Sequence, residues 1–164
     1  MTELVFRAMR ILLVCTGNTC RSPLAEALLK RELAERGLDG VEVSSAGTGA
    51  WDGAPASEGA YLVGLEHGLD LSAHRARLVT RELVQAADLI LTMARHHRAR
   101  VEQLGGGGKT YLLGEYAGKR DAEAEVRDPF GGDLDGYRET LEDLLGVTGA
   151  VADRLARERS GDRR

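Results

Sequence analysis

The chain has 164 residues, room for one domain with its own core and hardly for two. Apolar residues make up 43% and charged residues 29%, the balance of a water-soluble globular chain. Basic residues number 22 against 26 acidic ones, which argues against a nucleic-acid binder working by bulk electrostatics.

No apolar run reaches the length of a membrane span, and the run from Ile11 to Val14 is too short for a signal-peptide core. The expectation is a cytoplasmic protein that engages no membrane. Aromatics are only 4%, so Leu, Val, Ile and Ala must build the core. The two cysteines are expected to be reactive or buried, not a structural disulfide. Together with His67, His74, His96 and His97 they show no zinc-site spacing, and no metal is expected.

In chain order, Ile11 to Val14 reads as a strand buried on both faces. Ser22 as N-cap and Pro23 at the first position open a helix that carries Leu24, Ala27, Leu28 and Leu33 and stops at Gly37. Val41 to Ser45 is a second strand, closing at Gly47. A helix runs from Ser57 through Leu65 and stops near Gly68; Leu83 to Ala87 is a helical turn. Leu89 to Met93 is a third strand, followed by a helix to about Leu104 and a loop over Gly105 to Gly108. Lys109 to Leu113 is a fourth strand, and 114–132 a long connection of the kind that carries function. The last helix runs from about Leu134 to Arg157, with Tyr137, Leu141, Leu144, Val151 and Leu155 on its apolar face. Its basic end, from Arg154, reads as solvated. Residues 1–8 and 158–164 are expected as ragged ends of one domain.

Strands alternating with helices imply a parallel sheet, which binds ligands beyond the carboxyl ends of its strands. The loop Cys15-Thr16-Gly17-Asn18-Thr19-Cys20-Arg21-Ser22 leaves the first strand there and enters a helix N-terminus, a natural anion site. Five residues separate Cys15 from Arg21. A helix N-terminus and a nearby guanidinium favour the nucleophilic thiolate. The N–H groups of the residues between can curl around a phosphate while Arg21 forks across two of its oxygens. Gly17 permits a tight bend, Asn18 tolerates a left-handed backbone, and Ser22 can donate to the thiolate. A Cys and an Arg at this spacing also arise by chance; the strand before and the helix after give the pair its meaning.

The stretch Val14-Cys15-Thr16-Gly17-Asn18-Thr19-Cys20-Arg21-Ser22-Pro23-Leu24-Ala25-Glu26 resembles the signature of low-molecular-weight protein tyrosine phosphatases. The likeness continues through Ser45-Ala46-Gly47-Thr48, Leu71 to Arg77, Ala87 to Leu91 and Asp128-Pro129-Phe130-Gly131-Gly132. It implies a three-layer flavodoxin-like α/β fold with a four-stranded parallel sheet, no cofactor, and phosphorylated proteins as substrates of a chain expected to be monomeric.

The leaving group needs a proton, and Asp128 before Pro129 suits that task, because proline restricts the residue ahead of it. A plain turn aspartate is the alternative; the resemblance favours the acid, with Asp133 and Asp135 left to cap the last helix. Thr19 resembles the protein-arginine phosphatase branch, whose threonine stands where tyrosine phosphatases carry a bulkier aliphatic residue. Phosphoarginine is therefore the favoured substrate. A tyrosine phosphatase is the alternative, and then an arsenate reductase, whose chemistry uses three cysteines where this chain has two. A phosphate-binding module without turnover is a third class.

Trp51 resembles a substrate-flanking tryptophan that could stack on either group; a partly buried anchor is the other reading. Cys20 could capture oxidised Cys15 in a reversible disulfide, or be a buried spectator. The resemblance places His74 behind the phosphate loop. Asp88 is expected to order backbone, His96 and His97 to be solvent-exposed, and Arg75 and Arg77 either to line the cleft or to be solvated.

Overall fold

The computed structural model describes residues 8–161. Four parallel strands, β1 (Met9–Cys15), β2 (Val41–Gly47), β3 (Leu89–Thr92) and β4 (Thr110–Leu112), lie in the order β2-β1-β3-β4. From β1 the chain steps outward to β2, then crosses back to β3 on the other side. The end of β1 is therefore the switch point at which such sheets bind ligands.

Both faces of the sheet are covered, giving the expected three-layer, flavodoxin-like α/β arrangement. One face, with Ile11, Leu13, Val43 and Leu91, packs on α1 (Arg21–Glu35), α2 (Glu58–Glu66) and α6 (Leu134–Gly161). The other, with Leu12, Val14, Ala46 and Ile90, packs on Val84 of α3 (Arg81–Ala86) and Val101 of α4 (Arg95–Val101). Every residue from Ile11 to Cys15 is buried, which is why β1 reads as a continuous apolar run without alternation.

Helix ends follow local chemistry. After α1, Gly37 N–H donates to the Ala34 carbonyl and Leu38 N–H to that of Leu33, with Gly37 at φ 64°. The same double closure ends α2 at Gly68. Ser57 and Thr80 cap α2 and α3 through their hydroxyls, and Asp133 accepts from Gly136 N–H at the start of α6.

Several boundaries differ from expectation. The first helix begins at Arg21, with Cys20 at the cap position and no side-chain cap bond. Ser22 thus sits inside the first turn, where its hydroxyl serves the loop. After α4 the chain widens into a π-type turn over Glu102–Gly106 rather than ending at Leu104. The connection 114–132 is not bare loop: α5 (Leu113–Tyr116) and a 3₁₀ turn (Asp121–Ala124) lie in or beside it. Segments this short carry too few apolar positions to show a period.

The last helix continues to Gly161, past Arg157. Its basic end is not simply solvated: Arg154 lies 3.8 Å over the Tyr116 ring and pairs with Glu158. Of the tails expected to be ragged, residues 1–7 and 162–164 lie outside the described residues. No described helix is long and apolar enough to cross a membrane.

Candidate active site

The loop leaving β1 closes on itself through buried polar groups. Asn18, with no exposed surface and φ 57°, is its centre. Its Nδ2 donates to Ser22 Oγ at 2.8 Å and to Ser45 Oγ at 2.9 Å, and its Oδ1 accepts from Arg77 N–H at 3.0 Å. His74 Nε2 donates to the Asn18 carbonyl at 2.7 Å. The left-handed residue is thus Asn18 itself, while Gly17 stays outside that region. The glycine the loop depends on is Gly47, where a Cβ would come within 2.3 Å of the Thr16 carbonyl oxygen.

Proton directions along this network follow from what each group can do. Ser45 donates to Glu26 Oε1 at 2.6 Å, so its oxygen is free to accept from Asn18. Ser22 accepts from Asn18, and its hydroxyl lies 2.9 Å from Cys15 Sγ, within reach to donate to a deprotonated sulfur. Asn18 N–H adds a second donor to that sulfur at 3.3 Å. The Ser22 hydroxyl and the Asn18 N–H thus flank the sulfur at the N-terminus of α1.

Cys15 borders a cavity of about 170 Å³ shared with Thr16, Gly17, Thr19, Cys20 and Arg21. Asp128 and Phe130 close its far side. Arg21 is buried; its Nη1 donates to the Val126 carbonyl at 3.1 Å, and its Nη2 lies 3.6 Å from Asp128 Oδ2. The structure thus brings Cys15, Arg21 and Asp128 to one cleft. Two larger grooves, of about 620 and 680 Å³, hold no cysteine, and chemistry rather than volume identifies the site.

Cys20 is a free buried thiol, as is Cys15. Its sulfur lies 3.1 Å from Ser57 Oγ and 3.7 Å from both Tyr137 OH and Thr19 Oγ1. Burial, with Cys20 and Asp128 close by, pushes the Tyr137 phenol above its usual range.

Some expectations change. Trp51 is 84% exposed and does not border the cavity, so it is no buried anchor; it stands just beyond the 47–49 turn, which bonds to Cys15 and Thr16. Neither Arg75 nor Arg77 lines the cleft: Arg77 Nε turns back to the Ser45 carbonyl, and Arg75 bonds to the carbonyls of Ser72 and His74. Asp88 accepts from Arg10 N–H, ordering backbone. Among the described residues no group of His, Cys, Asp or Glu is placed to hold a metal ion.

His97 is the largest correction. It is fully buried, and its Nε2 lies 2.7 Å from Thr16 Oγ1. Two adjacent histidines after a strand give no sign of which turns inward. Ser45 and Glu26 were also missed, although the pair of serines near the end of β2 was a usable signal.

Known proteins give this geometry a context. The family described as low molecular weight phosphotyrosine protein phosphatase matches residues 10–160. A protein-arginine-phosphatase of Bacillus subtilis is 38% identical over 153 residues, 92% of this chain and 99% of its own. The low molecular weight protein-tyrosine-phosphatase Wzb of Escherichia coli is 43% identical over 150 residues, 90% of each chain. The solved structure of the YwlE arginine phosphatase from Geobacillus stearothermophilus superposes with a TM-score of 0.84 at 35% identity, covering 93% of this chain and 96% of that one. The chain belongs to the low-molecular-weight protein phosphatase family of cysteine-based enzymes.

Proposed function

We propose that the chain, working as one domain without a cofactor, hydrolyses phosphoarginine on proteins through a cysteinyl-phosphate intermediate. Cys15 Sγ attacks phosphorus as the P–N bond breaks, and Asp128 gives its proton to the departing guanidinium nitrogen. Water then attacks phosphorus while the Asp128 carboxylate takes its proton; the new P–O bond forms as the S–P bond breaks, releasing phosphate and the Cys15 thiolate. Arg21 and the N–H groups of residues 16 to 21 hold the three phosphoryl oxygens throughout. Phe130, which borders the cavity, and Trp51, just beyond the turn bonded to Cys15 and Thr16, are both exposed and offer faces on which a planar guanidinium can stack.

The preference for arginine rests on Thr19. Its half-buried side chain borders the cavity and puts a hydroxyl where an aliphatic residue would leave an apolar wall. A polar wall suits a guanidinium better than a phenyl ring. A relative named protein-tyrosine-phosphatase at 43% identity keeps phosphotyrosine as the second reading.

Comparing kcat/KM on phosphoarginine and phosphotyrosine peptides separates the two. Wild type is expected to prefer phosphoarginine, and Thr19→Ile to move the ratio at least tenfold toward phosphotyrosine, about 1.4 kcal/mol of discrimination. A wild-type preference for phosphotyrosine would refute the reading.

We also propose that Cys20 captures oxidised Cys15 in a disulfide. Peroxide takes Cys15 to a sulfenic acid, and Cys20 displaces water from it; under excess peroxide wild type should then recover with dithiothreitol, while Cys20→Ser goes on to the irreversible sulfinic acid. Equal recovery in both would remove that role.

A further inference from the structure

Thr16 follows the nucleophile directly, and its exposed side chain borders the cleft. Its Oγ1 meets Nε2 of His97 at 2.7 Å, across 81 residues of sequence. His97 lies in the first turn of α4, fully buried, and its Nδ1 accepts from Ala94 N–H at 3.1 Å. A ring nitrogen that accepts carries no proton, so the single proton of the neutral ring sits on Nε2. Burial first, then His96 and Arg21, keep the ring neutral, with its pKa lowered to about 3.

Nε2–H therefore donates to Thr16 Oγ1. A hydroxyl has one proton, and with His97 donating, that proton must point elsewhere. Among the described residues no acceptor reaches it, and Thr16 itself borders the cleft. Had Ala94 not claimed Nδ1, the other tautomer would accept from Thr16 and turn its proton away from the cleft. The backbone at the end of β3 thus sets the polarity of a side chain beside the nucleophile at the end of β1.

We infer that His97 is a positioning residue that fixes Thr16 as a hydrogen-bond donor to an oxygen of the bound phosphoryl group. This rests on the phosphatase reading only in taking a phosphoryl group as the occupant of the cleft.

The test is the inhibition constant of inorganic phosphate, measured on proteins shown to be folded by their thermal transitions. Thr16→Val and His97→Leu should each weaken phosphate by about three- to tenfold, the loss of one hydrogen bond. The double variant should be no weaker than Thr16→Val alone, because both changes remove the same donor. His97→Gln, whose amide N–H can stand in for Nε2–H, should recover most of the loss; a merely structural role would not be rescued this way.

Additive losses, or a Gln variant as weak as the Leu variant, would overturn the inference. Should His97→Leu fail to fold, Thr16→Val decides alone, and unchanged phosphate binding sinks the idea. A wild type that binds phosphate through Thr16 yet hydrolyses nothing would instead refute the proposed function and leave this inference standing.

Discussion

At Asp128 the two carboxylate oxygens face different partners. Oδ1 accepts from Phe130 N–H at 3.0 Å, while Oδ2 faces Arg21 Nη2 at 3.6 Å. An amide can keep the first contact but cannot supply a proton as an acid does. Asp128→Asn should therefore fold normally and lose roughly a hundred- to ten-thousandfold in kcat on a poor leaving group. A steady-state assay with a phosphoryl donor of high leaving-group pKa checks this; turnover near wild type would strip Asp128 of the acid role. Cys15 and Arg21 were legible as cleft residues from a local pattern, a strand end running into a helix start; Asp128 before Pro129 reads locally as a plain turn, and only the family resemblance singled it out. His97 was not legible, since burial is a tertiary property and His96 beside it is the same residue type.

The elements explain why the loop keeps its shape. Strand β2 supplies Ser45 to Asn18, and its last residue, Gly47, lets the loop approach the backbone. In Gly47→Ala the new methyl meets the fixed carbonyl of Thr16 at 2.3 Å, so the backbone must move. We expect a loss of about 1–3 kcal/mol of stability, with weaker phosphate binding. Gly146 in α6 is the control: a Cβ there meets nothing within 4 Å, and Gly146→Ala should stabilise by roughly 0.5–1 kcal/mol. Thermal unfolding of the two variants checks both signs; a neutral Gly47→Ala would mean that the loop adapts freely. The strands and long helices were readable from period and punctuation. The short α5 and the 3₁₀ turn were not, because packing rather than pattern holds them: a Cβ at Gly114 in α5 would come within 2.5 Å of the carbonyl oxygen of Ala124, the last residue of that turn.

For the whole molecule, the buried His97 links stability to pH. Its folded pKa is lowered from 6.5 to about 3, chiefly by burial. Between those values the unfolded chain binds a proton that the folded chain does not. The contribution is complete above pH 6.5 and is lost progressively as pH falls toward about 3. Denaturant unfolding measured from pH 7 down to pH 4 should show stability falling in wild type and falling less steeply in His97→Gln. Parallel curves for the two proteins would contradict this. The topology was open to reading in part: alternating elements indicate a parallel sheet, but the meeting of Thr16 with His97 depends on β1 and β3 being neighbours, which no local pattern states.

The segment bearing Asp128 is tied to that same sheet. Val126 N–H bonds to the Met93 carbonyl at 2.8 Å just past β3, and the Val126 carbonyl accepts from Arg21. Two residues later comes Asp128, whose Oδ1 is held by the N–H of Phe130. Asp128 is thus indexed from upstream; of the residues after it, Gly131 at φ 81° is held to a backbone that favours glycine, while Phe130 gives this contact only its N–H. Any residue except proline can occupy position 130 without losing that contact. Position 130 is therefore where selection, or a protein engineer, can recut the mouth of the cleft while Cys15, Arg21 and Asp128 stay in register.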